Sequence, residues 1–593
     1  MNATTLIYLA FLLPLGVSLA ATPVIIALAR RHGWVVEPRE DRWHRKPTAV
    51  FGGVGIYLAF TSALLVLGWP LNPHEWALLA CGTAMFLLGL ADDILDLKPQ
   101  VKFLGQVLIA TVAVVLGIRL EIIPWPWLSV LFTVFWLVGV TNALNILDNM
   151  DGLSSGVTFV AGTALALAGW LAGQTHTGMA GAMLAGASLG FFFYNFNPAK
   201  IFMGDCGSLF LGFILAATTV MGVKGGAGHL FLSLILPLGA LVVPIFDTTL
   251  VSFQRTSHGR SIAQGGRDHT SHRLVFLGLS EKRAVLVLLA ISSICGLGSL
   301  FLAHFATPLA AVVVAAVVLV LLVFFGVFLG DVKVYDATAK KPEDRWHSPI
   351  LGKVILYKKQ ILQMVADLIL FSAAYTAAWL LRFEGHLTPD LVVLLSTSLP
   401  LLLGAKMLAL WAFGVYKGDW RYISVSDMIR LAKGCFTGSL LFVLLLVVIY
   451  RFEWYSRAVI IIDFFLSFLM VAGSRSLIRV FRESIRSRRG VPVLIMGAGD
   501  GGELLIRELR NNPGLPYQPV GFVDDDPAKR GQVIHGIRVL GNRQDLPELI
   551  QAHQVQRVFI SILSQPHNGF EDVFATCRKL DVECTRIQPM IKL

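Results

Sequence analysis

Long apolar runs separated by short polar stretches fill most of the first 475 residues. Runs of roughly 17 to 25 such residues, the length that crosses a bilayer core, fall near 5-29, 50-68, 75-91, 103-118, 126-142, 156-172, 178-194, 208-223, 229-250, 284-303 and 309-330. After the polar stretch DVKVYDATAKKPEDRWHSP, a second set lies near 359-381, 391-416, 431-450 and 456-473. The pattern predicts a polytopic α-helical membrane protein of about 11 + 4 transmembrane helices. Beyond residue 475 the pattern shortens to strand-length apolar runs alternating with amphipathic stretches, which predicts an α/β domain of Rossmann-like type. The expected organisation is an eleven-span domain at 1-330, a cytoplasmic linker at 331-358, a four-span membrane domain at 359-475 and the Rossmann-like domain at 476-593.

Composition agrees with this reading: 55% of the residues are hydrophobic and 15% charged, with a mean hydropathy of +0.70, well outside soluble averages. The first run has no basic segment before it, and Arg30 and Arg31 follow it. It reads as a membrane span and not a cleaved signal peptide. Lys and Arg concentrate after spans one and nine (Arg30, Arg31, Arg39, Arg42, Arg45, Lys46; Arg255, Arg260, Arg267, Arg273, Lys282, Arg283), whereas GWPLNPHE and QTHTG carry none. The asymmetry predicts an N-terminus outside and a C-terminus in the cytoplasm of a bacterial inner membrane. The formal charge of +11 is largely this inside bias plus a basic tail, so no nucleic-acid partner is expected. The six cysteines are scattered without a CxxC pair, which supports neither a disulfide framework nor a zinc site.

Every dense polar motif falls in a loop on the cytoplasmic side: ADDILDLKPQVKFLGQ (91-106), NALNILDNMDGL (142-153), NFNPAKIFMGDCGS (195-208) and RTSHGRSIAQGGRDHTSHRL (255-274). Carboxylates at helix ends point to a reaction at the membrane surface, since a transport path would place ionisable groups deep within spans. Asn, Asp and Gly also favour caps and turns, but four such loops on one face argue for a site. Asn145, Asp148 and Asn149 are spaced i, i+3, i+4 and share a face if the helix continues. Asp92 and Asp93 add a carboxylate pair, and Asp205 sits between Gly204 and Gly207. Oxygen donors without His or Cys suit Mg²⁺, with Mn²⁺ as the alternative. Arg267, His269, His272 and Arg273 supply the cationic counterpart that a pyrophosphate needs. Acid, metal and basic arm together spell phosphoryl transfer.

These four motifs, in order and in these loops, resemble the polyprenyl-phosphate N-acetylhexosamine-1-phosphate transferases (the WecA/MraY superfamily), over residues 1 to about 330. The resemblance implies Mg²⁺-dependent transfer of a HexNAc-1-phosphate from a UDP-sugar to polyprenyl phosphate, giving polyprenyl-diphosphate-sugar and UMP and starting a cell-surface glycan. It implies Asp205 and Asn145 as metal ligands; Asp92, Asp93 and Asp148 as the carboxylates nearest the nucleophile, with Asp92 and Asp93 both open as the base; and Lys102 at the lipid phosphate. It further implies Phe202 stacked on uracil, with Asp151 and Asn195 at the uridine. RDHTSHRL lacks the histidine run of the muramoyl-pentapeptide branch and is closer to the branch using plain UDP-N-acetylhexosamines.

In the second half, VPVLIMGAGDGGELLIREL places Gly497, Gly499 and Gly502 between a strand and a helix, with Asp524 some twenty residues on, a pattern that would bring a phosphate to a helix N-terminus and an acid to a ribose. This half resembles the membrane-anchored front of nucleotide-sugar 4,6-dehydratases. NAD or another nucleotide is a candidate ligand, but no Tyr-x-x-x-Lys pair follows, so no dehydratase activity is expected. A regulatory or docking role is the alternative, with sugar-modifying enzymes or a homo-dimer as partners beside the membrane lipids. Two rival readings of the whole chain are a transporter with a nucleotide-sensing domain and an inactive scaffold.

Overall fold

The computed structural model describes residues 2–37, 47–68, 71–121, 123–222, 230–261, 266–332, 349–417, 425–451, 455–485, 490–511, 517–562 and 567–587. The 331-358 linker and Lys46 therefore lie largely or wholly outside the described residues. Two compact units emerge, Met1–Ile485 and Arg486–Leu593.

In the first unit each predicted apolar run is helical: α1 (Ala3–Arg31), α2 (Gly52–Leu67), α3 (Pro73–Leu95), α4 (Pro99–Val115), α5 (Pro126–Leu147), α6 (Leu153–Leu171), α7 (Thr175–Asn195), α8 (Gly204–Gly222), α9 (Leu230–Ala240), α10 (Val242–Ser257), the short α11 (Thr270–Phe276), α12 (Glu281–Phe305), α13 (Pro308–Gly330), α14 (Pro349–Arg382), α15 (Pro389–Ala412), α16 (Val425–Tyr450) and α17 (Arg457–Ile485). Among the described residues, twelve helices are long and apolar enough to cross a membrane, and α2 and α4 are shorter apolar helices. This is a multi-pass membrane protein. The run at 229-250, expected as one span, is instead two helices, the described segments Leu234–Ala240 and Val242–Ser257 meeting at 71°. Pro237 lies inside α9 and Gly239 and Pro244 flank the break, where an uninterrupted helix is hardest to keep.

Helix α8 is the axis of the first set: every residue from Cys206 to Val220 is buried. Glycines bring its N-terminus close to its neighbours. A Cβ on Gly89 of α3 would lie 2.4 Å from the Asp205 carbonyl oxygen, and one on Gly53 of α2 would lie 2.2 Å from the Gly207 nitrogen. In lipid, where helices gain nothing from leaving water, such close backbone approach is what holds them together. A small antiparallel pair, β1 (Val35–Val36) and β2 (Thr48–Ala49), holds the chain just ahead of α8, with Phe202 N donating to Ala49 O at 2.8 Å. At the far end of α3, Asn72 and Glu75 form a reciprocal cap, and Glu75 reaches His176 on α7 at 2.8 Å.

The second set packs on the first through α13, whose Phe325 and Phe328 meet Phe481 of α17 edge-on. Its interior holds charge. Lys406 donates to Asp463 and Ser467, both at 2.6 Å, with the Lys406 and Asp463 side chains no more than 1% exposed. Arg475 donates to Asp367 at 2.6 Å.

The second unit is a six-stranded sheet in the order β5-β6-β4-β3-β7-β8, built from β3 (Val491–Met496), β4 (Tyr517–Val523), β5 (Val533–Ile534), β6 (Ile537–Gly541), β7 (Arg557–Ile560) and β8 (Glu583–Arg586), with α18 (Asp500–Asn511), α19 (Leu546–Ala552) and α20 (Glu571–Lys579). All pairings are parallel except β5 with β6. The unit's first strand, β3, lies inside the sheet with later strands on both sides, the doubly wound arrangement that opens a crevice beyond its carboxyl end.

Candidate active site

Four helix ends meet at one end of the first set. Asp92 and Asp93 stand near the C-terminus of α3, Asn145 near that of α5, and Asp205 in the first turn of α8. Lys102, in the second turn of α4, is drawn in among them. Its Nζ donates to Asp92 Oδ2 at 2.9 Å and to Asp205 Oδ2, and lies 3.5 Å from Asn145 Oδ1. Asn145 Nδ2 donates to Asp205 Oδ1 at 3.0 Å and to Ser208 Oγ at 2.8 Å. The amide is thereby oriented with its oxygen toward the ammonium.

The adjacent aspartates have separate surroundings. Asp93 accepts the backbone N–H groups of Asp205 (2.7 Å) and Cys206 (2.9 Å), one with each oxygen, and so clamps the start of α8. Gly204, at φ 75°, makes the turn into that helix, and a Cβ there would lie 2.6 Å from the Asp93 carboxylate. Asp92 accepts Leu97 N at 3.0 Å with one oxygen and Lys102 with the other.

Asp148 caps the end of α5. Burial first, then the neighbouring carboxylates of Asp151 and Asp93, push its pKa up to about 7. Because the folded protein favours the protonated carboxyl, the stability it contributes is complete below the ordinary carboxylate range and is lost as pH rises through about 7. In EDTA, the thermal unfolding midpoint is expected to fall between about pH 5 and about pH 8, and Asp148→Asn to reduce that fall. An identical fall in both proteins would remove Asp148 as its source.

The next loop is tied down by amides. Asn195, 2% exposed, accepts Gly152 N (3.0 Å) and Ser155 Oγ (3.1 Å) and donates to Ile201 O (3.0 Å). Expected at the uridine, its amide is instead spent inside the protein, bracing the turn at Gly152 against the 195–201 loop. Asp151 accepts Ala199 N at 2.9 Å and Asn197 Nδ2 at 3.3 Å, and Asn197 also donates to Glu281 at 2.7 Å. Phe202 is half-buried.

The basic motif divides in two. Arg273, expected at a phosphate, is 1% exposed and donates to the carbonyls of Asp268 (2.7 Å), Leu329 (2.9 Å) and Val332 (3.3 Å). Its guanidinium anchors the end of α13. Asp268 takes a bidentate pair from Arg255. His269 bonds Asp247 through Nδ1 at 2.9 Å, and its ring meets that of His272 at 6.0 Å. Burial, with His269 next, lowers the His272 pKa to about 4, so that imidazole is neutral at working pH. Ser271 donates to Asn149 at 2.6 Å, bringing α11 to the end of the acid motif. Arg267 is half-buried beside it in sequence. Asp247, Ser208 and the Asn197–Glu281 pair were not singled out from sequence. An acid in the apolar stretch VVPIFDTTL was the available signal for Asp247.

Comparison with known proteins bears on this constellation. Residues 75–223 match the model described as "Glycosyl transferase family 4". A "Probable undecaprenyl-phosphate N-acetylglucosaminyl 1-phosphate transferase" of Bacillus subtilis (strain 168) is 32% identical over 305 residues, covering 50% of this chain and 85% of that one. The chain belongs to the polyprenyl-phosphate N-acetylhexosamine-1-phosphate transferases. A further member, a decaprenyl-phosphate N-acetylglucosaminephosphotransferase of Mycolicibacterium smegmatis, is 34% identical over 306 residues, 45% of this chain and 75% of that one. Residues 411–587 match a model described as "CoA-binding domain". A solved UDP-D-quinovosamine 4-dehydrogenase from Vibrio fischeri aligns at 30% identity with 17% of this chain and 80% of that one, at a TM-score of 0.16.

In that second unit Gly497 takes φ 104° at the end of β3, while a Cβ on Gly499 would meet nothing within 4 Å. Asp524, expected at a ribose, accepts Ala498 N at 2.7 Å and Lys529 Nζ at 3.1 Å instead. Burial alone would raise its pKa, but the Asp526 and Ala498 N–H groups and Lys529 hold it below the usual carboxylate range.

Proposed function

We propose that the chain transfers a HexNAc-1-phosphate from a UDP-sugar to polyprenyl phosphate at the cytoplasmic face of a bacterial inner membrane, releasing UMP. The observation that carries this is the convergence of Asp92, Asn145 and Asp205 oxygens on one cation, the Lys102 ammonium, at the end of a membrane helix bundle.

The donor set fits a divalent ion. Among the described residues no three His, Cys, Asp or Glu side chains form a metal cage. Two carboxylates and an amide oxygen suit Mg²⁺ or Mn²⁺, which complete their shells with water and phosphate oxygens. Asp205 and Asn145, with Asp92 beside them, would hold it, and it would neutralise charge on the donor diphosphate.

The chain's own residues do the rest. Asp93 fixes the first turn of α8, so that Asp205 is held in place before substrate arrives. Lys102 pairs with Asp92 in the absence of substrate and offers the acceptor phosphate a cation. Asp92 and Asp148 are the carboxylates left to orient or accept a proton from the acceptor, since both oxygens of Asp93 are engaged with backbone. Asp151 and Asn195 shape the 195–202 loop that presents Phe202 to uracil. The second half is read as a regulatory or docking module: Asp524 braces its own glycine loop, and a nucleotide there would have to displace Lys529.

Purified protein in detergent, given polyprenyl phosphate and a panel of UDP-sugars, is expected to release UMP with Mg²⁺ or Mn²⁺ and to stop in EDTA. Release that needs no lipid, or persists in EDTA, would count against this reading.

A further inference from the structure

Asp247 is as deeply placed as any acid near the site, level with Asp268, which Arg255 pairs. It lies on α10 at 1% exposure, and a lone carboxylate taken out of water costs several kcal/mol. Both oxygens are spent on one short segment: Oδ2 faces His269 Nδ1 at 2.9 Å and Oδ1 accepts Thr270 N at 2.6 Å. An ionised carboxylate only accepts hydrogen bonds, so the proton in the first contact belongs to Nδ1. The ring therefore presents Nε2 as the position at which it meets a ligand, and among the described residues Nε2 has no hydrogen-bond partner.

The rest of the motif narrows what that nitrogen faces. Arg273 and Asp268 are turned to carbonyls and to Arg255. Ser271, two residues past His269, bonds Asn149, next to Asp148. The segment is thus locked at both sides of His269 and hung on the acid motif. The His269 imidazole is backed directly by the Asp247 carboxylate.

We infer that Asp247 is a positioning residue of the transfer reaction, holding the His269 ring so that Nε2 addresses the diphosphate of the sugar nucleotide. The inference rests on the proposed transferase reading. It separates two jobs: His269 meets the ligand, and Asp247 sets its tautomer and angle by holding Nδ1 and the next backbone N–H.

A double-mutant cycle tests this. Asp247→Asn keeps the shape but puts an amide N–H against either Thr270 N–H or His269 Nδ1–H, so one of the two contacts fails. Asp247→Asn and His269→Gln are each expected to lower kcat about 100-fold, to leave KM for polyprenyl phosphate unchanged and to weaken UMP binding by equal factors. The double variant is expected to be no slower than either single one, because both remove the same interaction. Asp247→Glu, which keeps the charge, serves if the asparagine variant does not fold, and is expected to recover part of the UMP affinity. Losses that multiply in the double variant, or a folded Asp247→Asn protein at wild-type rate, would overturn the inference. Wild-type protein that releases no UMP with any donor would instead sink the transferase reading itself.

Discussion

Asp205→Asn is expected to lower turnover at least about 10³-fold, a loss of about 4 kcal/mol of transition-state stabilisation, in a protein that still folds. The side chain is partly open, 31% exposed, and is gripped by Lys102 and Asn145. Its backbone N–H, which Asp93 holds, is untouched by the substitution, so α8 keeps its place. What disappears is one of the two negative charges around Lys102. An amide is a poor substitute where a divalent ion and a diphosphate have to share the site. Thermal unfolding in detergent should change by less than about 1 kcal/mol, as expected of a partly exposed position. A variant with near-normal turnover would remove Asp205 from the site.

The second large effect falls in the other half of the membrane unit. Lys406→Met is expected to destabilise the protein by about 3–5 kcal/mol, because it leaves Asp463 buried without its counter-charge. Lys406→Met with Asp463→Leu should recover most of that loss, since an apolar pair of similar volume avoids the desolvation that the ion pair carries. Ser467 bonds both partners and would keep one unpaired hydroxyl in the double variant. The readout is the unfolding midpoint of the purified full chain. Equal losses in the single and double variants would show that the pair matters for something other than charge compensation.

Much of the fold is readable because lipid leaves the backbone few choices. Each long apolar run is helical, and the strand-length runs that follow mark the α/β unit, which begins beyond α17 at Arg486. The break between Ala240 and Val242 was harder to see. Pro237, Gly239 and Pro244 were visible, but whether such residues bend or merely loosen a helix depends on what packs against it. The acid motifs were legible as a group for a similar reason: polar residues at the ends of apolar helices have little else to do. Their division of labour was not. Asp92 and Asp93 are neighbours in sequence, and only the position of α8's first turn decides which one caps it and which meets Lys102. Arg273 shows the same limit, since its residue type suits a phosphate, yet its guanidinium serves three carbonyls. Asp247 escaped notice inside its apolar run because its partner lies 22 residues away, beyond the end of α10. In the second unit, the glycine loop and its acid were readable from spacing, but spacing does not say that Asp524 closes on Ala498.

The most direct test follows the phosphorus atom. Purified protein would be given polyprenyl phosphate and UDP-N-acetylglucosamine carrying ³²P in the β-phosphate and ¹⁴C in the sugar, and the lipid extracted. The expected result is that both labels enter the lipid in equal amounts, with unlabelled UMP left in the water phase, and that Asp205→Asn abolishes both. Sugar label in the lipid with the ³²P retained in UDP would mean plain glycosyl transfer and would contradict the proposed chemistry.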